Sequence, residues 1–476
     1  MIPRLLKIKT IMNRNRETVN RVEIKGGSEY NTSVCFILFV KRKLEGKMDR
    51  FFKLKENNTT VKTEFLAGVT TFLTMVYIVV VNPAILSSAG IPFEQVFMAT
   101  IISAVVGTLY MAIFANYPIA IAPGMGMNAY FASVVASHNL SYQVVFGTVF
   151  LAGILFILLS LTRLRELIIE VIPNSLKYGI TSGIGLFIAF IGLKSSEIVI
   201  ANPATMVSFG DLHQPITLLT LAGLFITLIL MARKVEGALF IGMLLTALIG
   251  YFTGFLKFEG IVSAPPVPEL FIMDITGVFS HGLYTVVFAF LLVTLFDTTG
   301  TMIGVAEQAH LLKNGKLPRA NSALMADAVA TTVGSTLGTS PTSAYIESST
   351  GVAAGGRTGL TSVVVAGLFL LSIFFSPAIA AISNLPAITS PVLIIVGCFM
   401  MEGLARIDWK VFDDAFPAFM IMLSMPLTSS IATGISVGFI TYPLMKLVSG
   451  KGKTVHPILY VFGFIFLMQM IFFPAH

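Results

Sequence analysis

The sequence predicts an all-α polytopic membrane protein of about fourteen segments, arranged as two inverted seven-segment repeats. Three observations point there. The 476 residues are 55% hydrophobic and only 12% charged, with a mean hydropathy of +0.87, whereas a soluble domain carries roughly 25% charged residues. Lys and Arg collect in alternate loops between the hydrophobic stretches, as the positive-inside rule requires. Two segments interrupted by Pro and Gly recur at matched places in the two halves, which marks an inverted repeat.

Charge comes first, because 31 Lys and Arg against 24 Asp and Glu leave a net +7. Residues 1–47 hold eleven of the basic and four of the acidic residues, so the whole excess lies there and the chain from Met48 onward is neutral. A nucleic-acid partner is therefore not indicated. The only apolar run in this leader, Val34 to Val40, is far short of the ~20 residues that a span needs, and no small-residue cleavage site follows it. The leader reads as a disordered cytosolic extension, or as translated sequence upstream of a start at Met48. Cys35 and Cys398, one in the leader and one in a span, imply no disulfide framework.

Hydrophobic stretches of spanning length fall at about 65–86, 96–115, 142–162, 174–193, 215–233, 236–256, 278–299, 321–338, 358–376, 387–404, 430–447 and 455–474. Three shorter ones near 119–136, 340–354 and 413–427 contain Pro, Gly or carboxylates. With the N-terminus inside and the first two of these counted as passes, the inside loops carry Arg163 and Arg165, Arg233 and Lys234, Lys313, Lys316 and Arg319, Arg357, Arg406 and Lys410, and Lys446, Lys451 and Lys453. The expected organisation is a first repeat over 48–256, a connecting loop over 257–277, a second over 278–447, and a C-terminal hydrophobic segment and tail over 448–476. The stretch 455–474 is either an interfacial helix or a last span with 413–447 merged into one pass.

An odd number of passes repeated turns the second half upside down, a transporter signature in which short broken segments of both halves meet at the midplane. The third segment reads Ile121-Ala122-Pro123-Gly124-Met125-Gly126-Met127-Asn128-Ala129-Tyr130-Phe131, and the tenth reads Ser340-Pro341-Thr342-Ser343-Ala344-Tyr345-Ile346-Glu347-Ser348-Ser349. In each, an extended stretch reaches a Pro, and a short helix is expected to open with a polar residue five or six positions later. Such broken backbone is tolerated in a membrane only where it lines protein or a wet cavity, and the end of a half-helix aims N–H groups at a ligand. Asn82-Pro83 and Asp297-Thr298-Thr299 end apolar runs in the first and eighth segments, 46 and 50 residues before Asn128 and Glu347. These four polar residues are expected to converge.

Each has a plainer reading. An Asn at a helix end is commonly a cap, which weighs on Asn82 more than on Asn128. A carboxylate inside a span is costly and functional by default, which favours Asp297 and Glu347. Asp327 also lies within a span but off the repeat pattern, so a structural hydrogen bond competes with a site role. Tyr130, Phe131 and Tyr345 can stack on a planar ligand or simply pack between helices. Gly179, Gly183 and Gly185 suit close helix packing. Gly355-Gly356-Arg357-Thr358-Gly359 lacks the Lys-Ser/Thr of a phosphate loop and reads as a tight cytosolic turn. The six His lie in loops or at span ends, without metal-ligand spacing, and nothing calls for a cofactor. Without a nucleotide-binding domain, secondary transport or facilitated diffusion remains.

Ala122 to Phe131, then Phe296-Asp297-Thr298-Thr299-Gly300-Thr301, then Tyr345-Ile346-Glu347-Ser348 followed by Gly355 to Thr361, resemble the AzgA-like branch of the nucleobase:cation symporter-2 (xanthine/uracil permease) family. The resemblance runs from about Met48 to the C-terminus. It implies fourteen segments divided into core and gate domains, often as a homodimer, in the cell membrane. It implies proton-driven uptake of guanine or hypoxanthine, and in some members adenine. The family's substrate-binding positions fall on Asn128, Asp297 and Glu347, with Ser343, Tyr130 and Tyr345 beside them. The eighth segment departs from the pattern at Thr294, where a second carboxylate is often found three residues before the Asp. In this reading Glu347 accepts the adjacent N–H donors of an oxopurine while Asn128 serves its acceptors, and Asp297, with Glu347, couples proton to substrate. Two competing readings are an anion carrier of the related sulfate-transporter architecture, which two acidic residues disfavour, and a multi-pass membrane enzyme, for which no nucleophile and base are apparent.

Overall fold

The computed structural model describes residues 48–137, 140–162, 171–312 and 317–472. The leader 1–47 and the loop charges Arg163, Arg165, Lys313 and Lys316 lie outside the described residues. The chain divides into two units, Met1–Phe51 and Phe52–His476. Of the first, residues 48–51 are described, and they are helical.

The second unit is a helical bundle. Its first half runs through α1 (Val61–Met75), α2 (Ile78–Ser87), α3 (Phe93–Tyr110), β1 (Ile121–Pro123), α4 (Met125–Ser137), α5 (Tyr142–Ser160), α6 (Asn174–Ser195), a hairpin of β2 (Val199–Asn202) and β3 (Met206–Phe209), α7 (Pro215–Ala232) and α8 (Ala238–Phe252). The second half runs through α9 (Ile275–Ser280), α10 (Tyr284–Gln308), α11 (Ala320–Leu337), β4 (Thr342–Ala344), α12 (Ser348–Ala353), α13 (Gly359–Ser372), α14 (Ser376–Ser383), α15 (Pro386–Phe399), α16 (Phe412–Thr428), α17 (Ile431–Val448) and α18 (Pro457–Phe472). Among the described residues nine helices, with α1 and α2 taken as one and α13 and α14 taken as one, are long and apolar enough to cross a membrane.

Packing sorts these helices into two groups, each drawn from both halves of the chain. In the core group α11 packs on α5 and α3, α13 on α1 and α3, and α12 on α1. In the gate group α6 packs on α15 and α16, α16 on α17, and α7 on α8 and α15. Small residues allow the close approaches. A Cβ on Gly107 of α3 would sit 2.6 Å from Ile121 of β1 and 2.7 Å from Ala330 of α11. The glycines of α6 act likewise: Gly179 abuts Ala418 on α16, and Gly185 abuts the Gly397 backbone on α15.

The two interrupted segments meet. β1 and β4 pair antiparallel, with Ile121 opposite Ala344, Ala122 opposite Ser343 and Pro123 opposite Thr342. The pairing extends at both ends, where Gly124 N–H donates to Pro341 O at 2.9 Å and Tyr345 N–H to Ala120 O at 3.0 Å. Side chains complete it: Ser348 Oγ accepts from Ala120 N–H at 3.0 Å, and Thr108 Oγ1 both accepts from Ile121 N–H and donates to its carbonyl.

Several local expectations need correction. The first helix does not end at Asn82-Pro83; the break falls a turn earlier, at Val76-Tyr77, and α2 runs through both residues. Pro83 supplies no N–H to the helix, and in the turn before it the Val80 carbonyl is taken by Ser383 Oγ at 2.9 Å. The eighth segment does not end at Asp297 either. α10 is continuous from Tyr284 to Gln308, because Thr298 and Thr299 spend their hydroxyls on Asp327 and the Leu295 carbonyl and leave the backbone ladder intact. In the third segment the helix starts at Met125, before Asn128, since Gly124 O already accepts from Met127 N–H and Asn128 N–H. In the tenth, the extended residues follow Pro341, and Glu347 stands at the N-cap of α12 as expected.

Carboxylates that looked out of place in the sequence have partners. Asp413 and Asp414 at the start of α16 bind Lys446 Nζ at 2.9 and 2.8 Å, and Lys451 Nζ reaches Asp413 at 3.0 Å. The final helix, α18, has 16 residues, which at 1.5 Å per residue is shorter than the ~30 Å hydrocarbon core. It packs on α17 and sets Phe462 and Phe466 against Phe288 of α10, with ring centroids 5.0 and 5.9 Å apart.

Glu64, a fully buried residue of α1, ties down the turn at Gly355–Gly359. Its carboxylate accepts from Arg357 N–H at 2.9 Å, Thr358 N–H at 3.3 Å, Thr361 N–H at 3.1 Å and Thr361 Oγ1 at 2.6 Å, capping α13, while the Arg357 guanidinium donates to the Val352 and Gly356 carbonyls. Hydrogen bonds to charged groups contribute roughly 1.5–3 kcal/mol each. Glu64→Ala should therefore lower the unfolding free energy of the detergent-purified protein by about 3 kcal/mol, read by thermal or denaturant unfolding; a change below about 0.5 kcal/mol would contradict the capping role.

Candidate functional site

The site is built where β4 leads into α12, beside the middle of α10. Successive residues of a strand point to opposite faces, and β4 uses this to hold two carboxylates apart. Thr342 turns toward α11 and donates to Asp327 Oδ1 at 2.6 Å. Ser343 turns the other way and hydrogen-bonds the Asp297 side chain. Gly124 leaves room for it: a Cβ there would lie 3.1 Å from Ser343 Oγ.

The two carboxylates differ in setting. Asp327 is fully buried, and Thr298 Oγ1 donates to its second oxygen at 2.5 Å. Thr331 Oγ1 supports the same knot through Thr342, accepting from its N–H at 3.0 Å. Asp327 thus fastens α10, α11 and β4 together. Asp297, by contrast, is only half-buried. Beyond it the face of α10 carrying Gly300, Ile303, Gly304 and Glu307 is exposed, whereas residues 286–287 and 289–296 of the same helix are buried.

Glu347 is also half-buried, and Asp297 and Tyr345 are within electrostatic reach of it. The Tyr77 hydroxyl donates to Glu347 Oε1. Tyr77 sits at the break between α1 and α2, and sequence reasoning missed it. The available signal was a single hydroxyl in the apolar run Met75 to Val81, since a buried Tyr usually finds a partner for its O–H.

Asn128, in the first turn of α4, is fully buried, and among the described residues its amide nitrogen has only Met125 Sδ at 3.9 Å. Among the described residues, neither its Oδ1 nor the hydroxyl of fully buried Tyr130 has a hydrogen-bond partner. Such atoms are uncommon in a finished interior, and a bound water or a ligand is one way to satisfy them. The Tyr130 ring packs on Phe290 with centroids 4.5 Å apart, and Phe131 on Phe146 at the same separation.

Other candidates are committed to the scaffold. Asn82 is buried and donates to Thr100 Oγ1 at 2.7 Å and Thr339 Oγ1 at 2.9 Å, while Ser340 Oγ donates to Asn82 Oδ1 at 3.4 Å. Tyr345 gives its hydroxyl to Pro123 O at 2.6 Å, bracing β1. Thr294 is buried, with its hydroxyl 3.9 Å from Met127 Sδ. The structure therefore gathers Asp297, Ser343, Tyr345 and Glu347, leaves Asn128 with unmet capacity on the adjoining α4, and assigns Asn82 and Asp327 to holding the helices around them.

Comparison with known proteins follows from this geometry. The Xan_ur_permease model, described as a permease family, matches residues 62–437. The guanine/hypoxanthine permease PbuO of Bacillus subtilis is 59% identical over 428 residues, covering 88% of this chain and 99% of that protein. The adenine permease AdeP of Escherichia coli is 45% identical over 436 residues, covering 91% and 98%. Among solved structures, the transmembrane domain of the cyanobacterial bicarbonate transporter BicA superposes with a TM-score of 0.61 at 16% identity, covering 79% of this chain and 97% of that one. That likeness is one of fold, the core-and-gate membrane architecture of these transporters.

Replacing Asp327 by Ala removes the acceptor of the buried Thr298 hydroxyl, at a cost of roughly 1–3 kcal/mol, while Thr342 Oγ1 keeps its bonds to the Asp327 backbone carbonyl and Thr331. Asp327→Ala should lower the unfolding midpoint well below that of Asp327→Asn, which keeps one acceptor oxygen and the side-chain volume. Equal midpoints for the two variants and the parent chain would show that the knot does not hold the helices.

Proposed function

The chain belongs to this permease family, and from that premise we propose that it is a secondary transporter taking up purine nucleobases by proton symport with alternating access. Guanine and hypoxanthine are the proposed cargo, with adenine as a further candidate. The relatives named for these bases support this choice. We further assign the protein to the cell membrane with a cytoplasmic N-terminus, as a homodimer.

The observation that carries the reading is that a half-buried Glu347 and a buried Asn128, whose side-chain oxygen has no partner among the described residues, stand at the starts of the two half-helices that the β1–β4 pair joins. An oxopurine is a flat ring with N–H donors on its pyrimidine edge and both donor and acceptor capacity at the imidazole. A carboxylate suits the donor edge, and charge-assisted bonds of this kind are roughly twice as strong as neutral ones. Asn128 can serve either type of group, through its oxygen or its amide N–H. In this role α4 and α12 contribute one recognition residue each, from the two interrupted segments.

Asp297 is the proposed proton carrier, with Glu347 coupled to it by proximity. A carboxylate that alternates between a wet and a dry setting exchanges its proton as its hydration changes, and half-buried Asp297 lies at the head of the exposed face leading toward Gln308. That face supports a path from the site to the end of α10.

The test is uptake of labelled hypoxanthine by the chain expressed in cells lacking purine transport, with and without a protonophore. The expected result is uptake that guanine competes and sulfate does not, abolished by the protonophore. Glu347→Gln should reduce kcat/KM by at least ~100-fold, in line with loss of a charge-assisted bond plus an unmatched polar edge. Asp297→Asn should leave exchange of bound base but no accumulation against a gradient. Full uptake by Glu347→Gln, or concentrative uptake by Asp297→Asn, is the outcome that sinks these roles.

A further inference from the structure

We propose that Tyr77 sets which purines this permease prefers, by holding one of the two oxygens of Glu347. The inference rests on the reading that Glu347 meets the base.

Tyr77 is buried, with 1% of its surface exposed, and its ring lies at the Val76-Tyr77 break where α1 gives way to α2. The break is local: Val79 N–H bonds to Val76 O at 3.1 Å, and Val80 and Val81 N–H both bond to Tyr77 O. A phenol sealed in such a place has one polar atom to satisfy, and it is satisfied by Glu347 Oε1, 270 residues away in the chain. The second half of the link is also fixed, because Thr350 Oγ1 donates to the Glu347 carbonyl at 2.6 Å and meets Thr74 Oγ1 of α1 at 3.1 Å. Glu347 is thus clamped against α1 through its side chain and through the helix it caps.

The consequence concerns which bases gain from the carboxylate. Guanine carries two adjacent donors, N1–H and the exocyclic amino group, which match both oxygens of a carboxylate. Hypoxanthine offers N1–H alone on that edge. With Oε1 already engaged by Tyr77, Glu347 meets either base chiefly through Oε2, and the amino group of guanine gains little. Without the Tyr77 hydroxyl both oxygens face the base, and only guanine can use the second. The clamp therefore levels the two bases and makes one site serve both.

The experiment uses the full chain in the same purine-transport-deficient cells, measuring inhibition of labelled hypoxanthine uptake by unlabelled guanine and by unlabelled hypoxanthine, with membrane levels quantified. The parent chain should show inhibition constants for the two bases within about threefold. In Tyr77→Phe the ratio should move toward guanine by about tenfold, the size of one added hydrogen bond. A purely structural Tyr77 would weaken both bases alike, so an unchanged ratio overturns the proposal. A tenfold or greater preference for guanine in the parent chain overturns it as well, and needs no variant to fold. Glu347→Gln separates the two levels: if that variant transports normally the site reading fails, whereas its failure together with an unmoved Tyr77→Phe ratio refutes the Tyr77 role alone.

Discussion

Inside a bilayer no water is available to satisfy a backbone N–H or C=O, and a chain that leaves the α-helix there must find every such group a partner within the protein. In its two interrupted segments this chain leaves the helix for extended backbone, at Ile121–Pro123 and at Thr342–Ala344, and the two departures answer each other across an antiparallel pair. Around them Thr108, Ser348 and Tyr345 fill the positions the short ladder leaves open. Most of the candidate site follows from that solution. It fixes where α4 and α12 begin, brings residues of both halves of the chain to one place, and sets the two faces of β4.

Those two faces divide structural from chemical work. Thr342 and Ser343 are neighbours in sequence, yet one reaches a fully buried carboxylate and the other a half-buried one. A buried charge or polar group is tolerated only with its hydrogen bonds made, and Asp327 has a donor on each oxygen. Glu64 shows the same logic at the α13 cap, and Asp413 does so with lysines. Asn128, whose side-chain oxygen has no partner among the described residues, and half-buried Asp297 and Glu347 are the polar groups of the candidate site that retain capacity for a ligand in the proposed role.

Coupling between α1 and α12 has a further mechanical meaning. Tyr77 and Thr74 on one side, and Glu347 and Thr350 on the other, make the core helices from the two halves a single piece at the level of the site. The gate helices pack among themselves through α6, whose glycines let α15 and α16 come close. In the proposed role, a base held by Glu347 and Asn128 would ride with the core group, since α4 and α12 both belong to the interrupted segments that β1 and β4 join. Rigid groups around a fixed site are what alternating access needs.

Composition and periodicity by themselves determined the membrane class, the run of helices and the two broken segments, because a bilayer imposes length and apolarity on every pass and penalises each exception. They also picked out Asn128, Asp297 and Glu347, since a polar residue within an apolar run is conspicuous. Roles were less legible. Asn82 and Asp327 carry the same kind of signal as Asn128, Asp297 and Glu347, and only the positions of Thr100, Thr339, Thr298 and Thr342 reveal that their capacity is spent on neighbouring elements. Tyr77 was silent for the opposite reason: one hydroxyl barely perturbs a hydrophobic run, and its partner is 270 residues distant. Helix breaks behaved likewise. Asn82-Pro83 and Asp297-Thr298-Thr299 look like ends in the sequence, but side-chain hydrogen bonds from other elements decide whether a polar or Pro-containing turn stops a helix or is carried through it. Hydropathy is a local property of the chain, and hydrogen-bond satisfaction is a property of the folded whole.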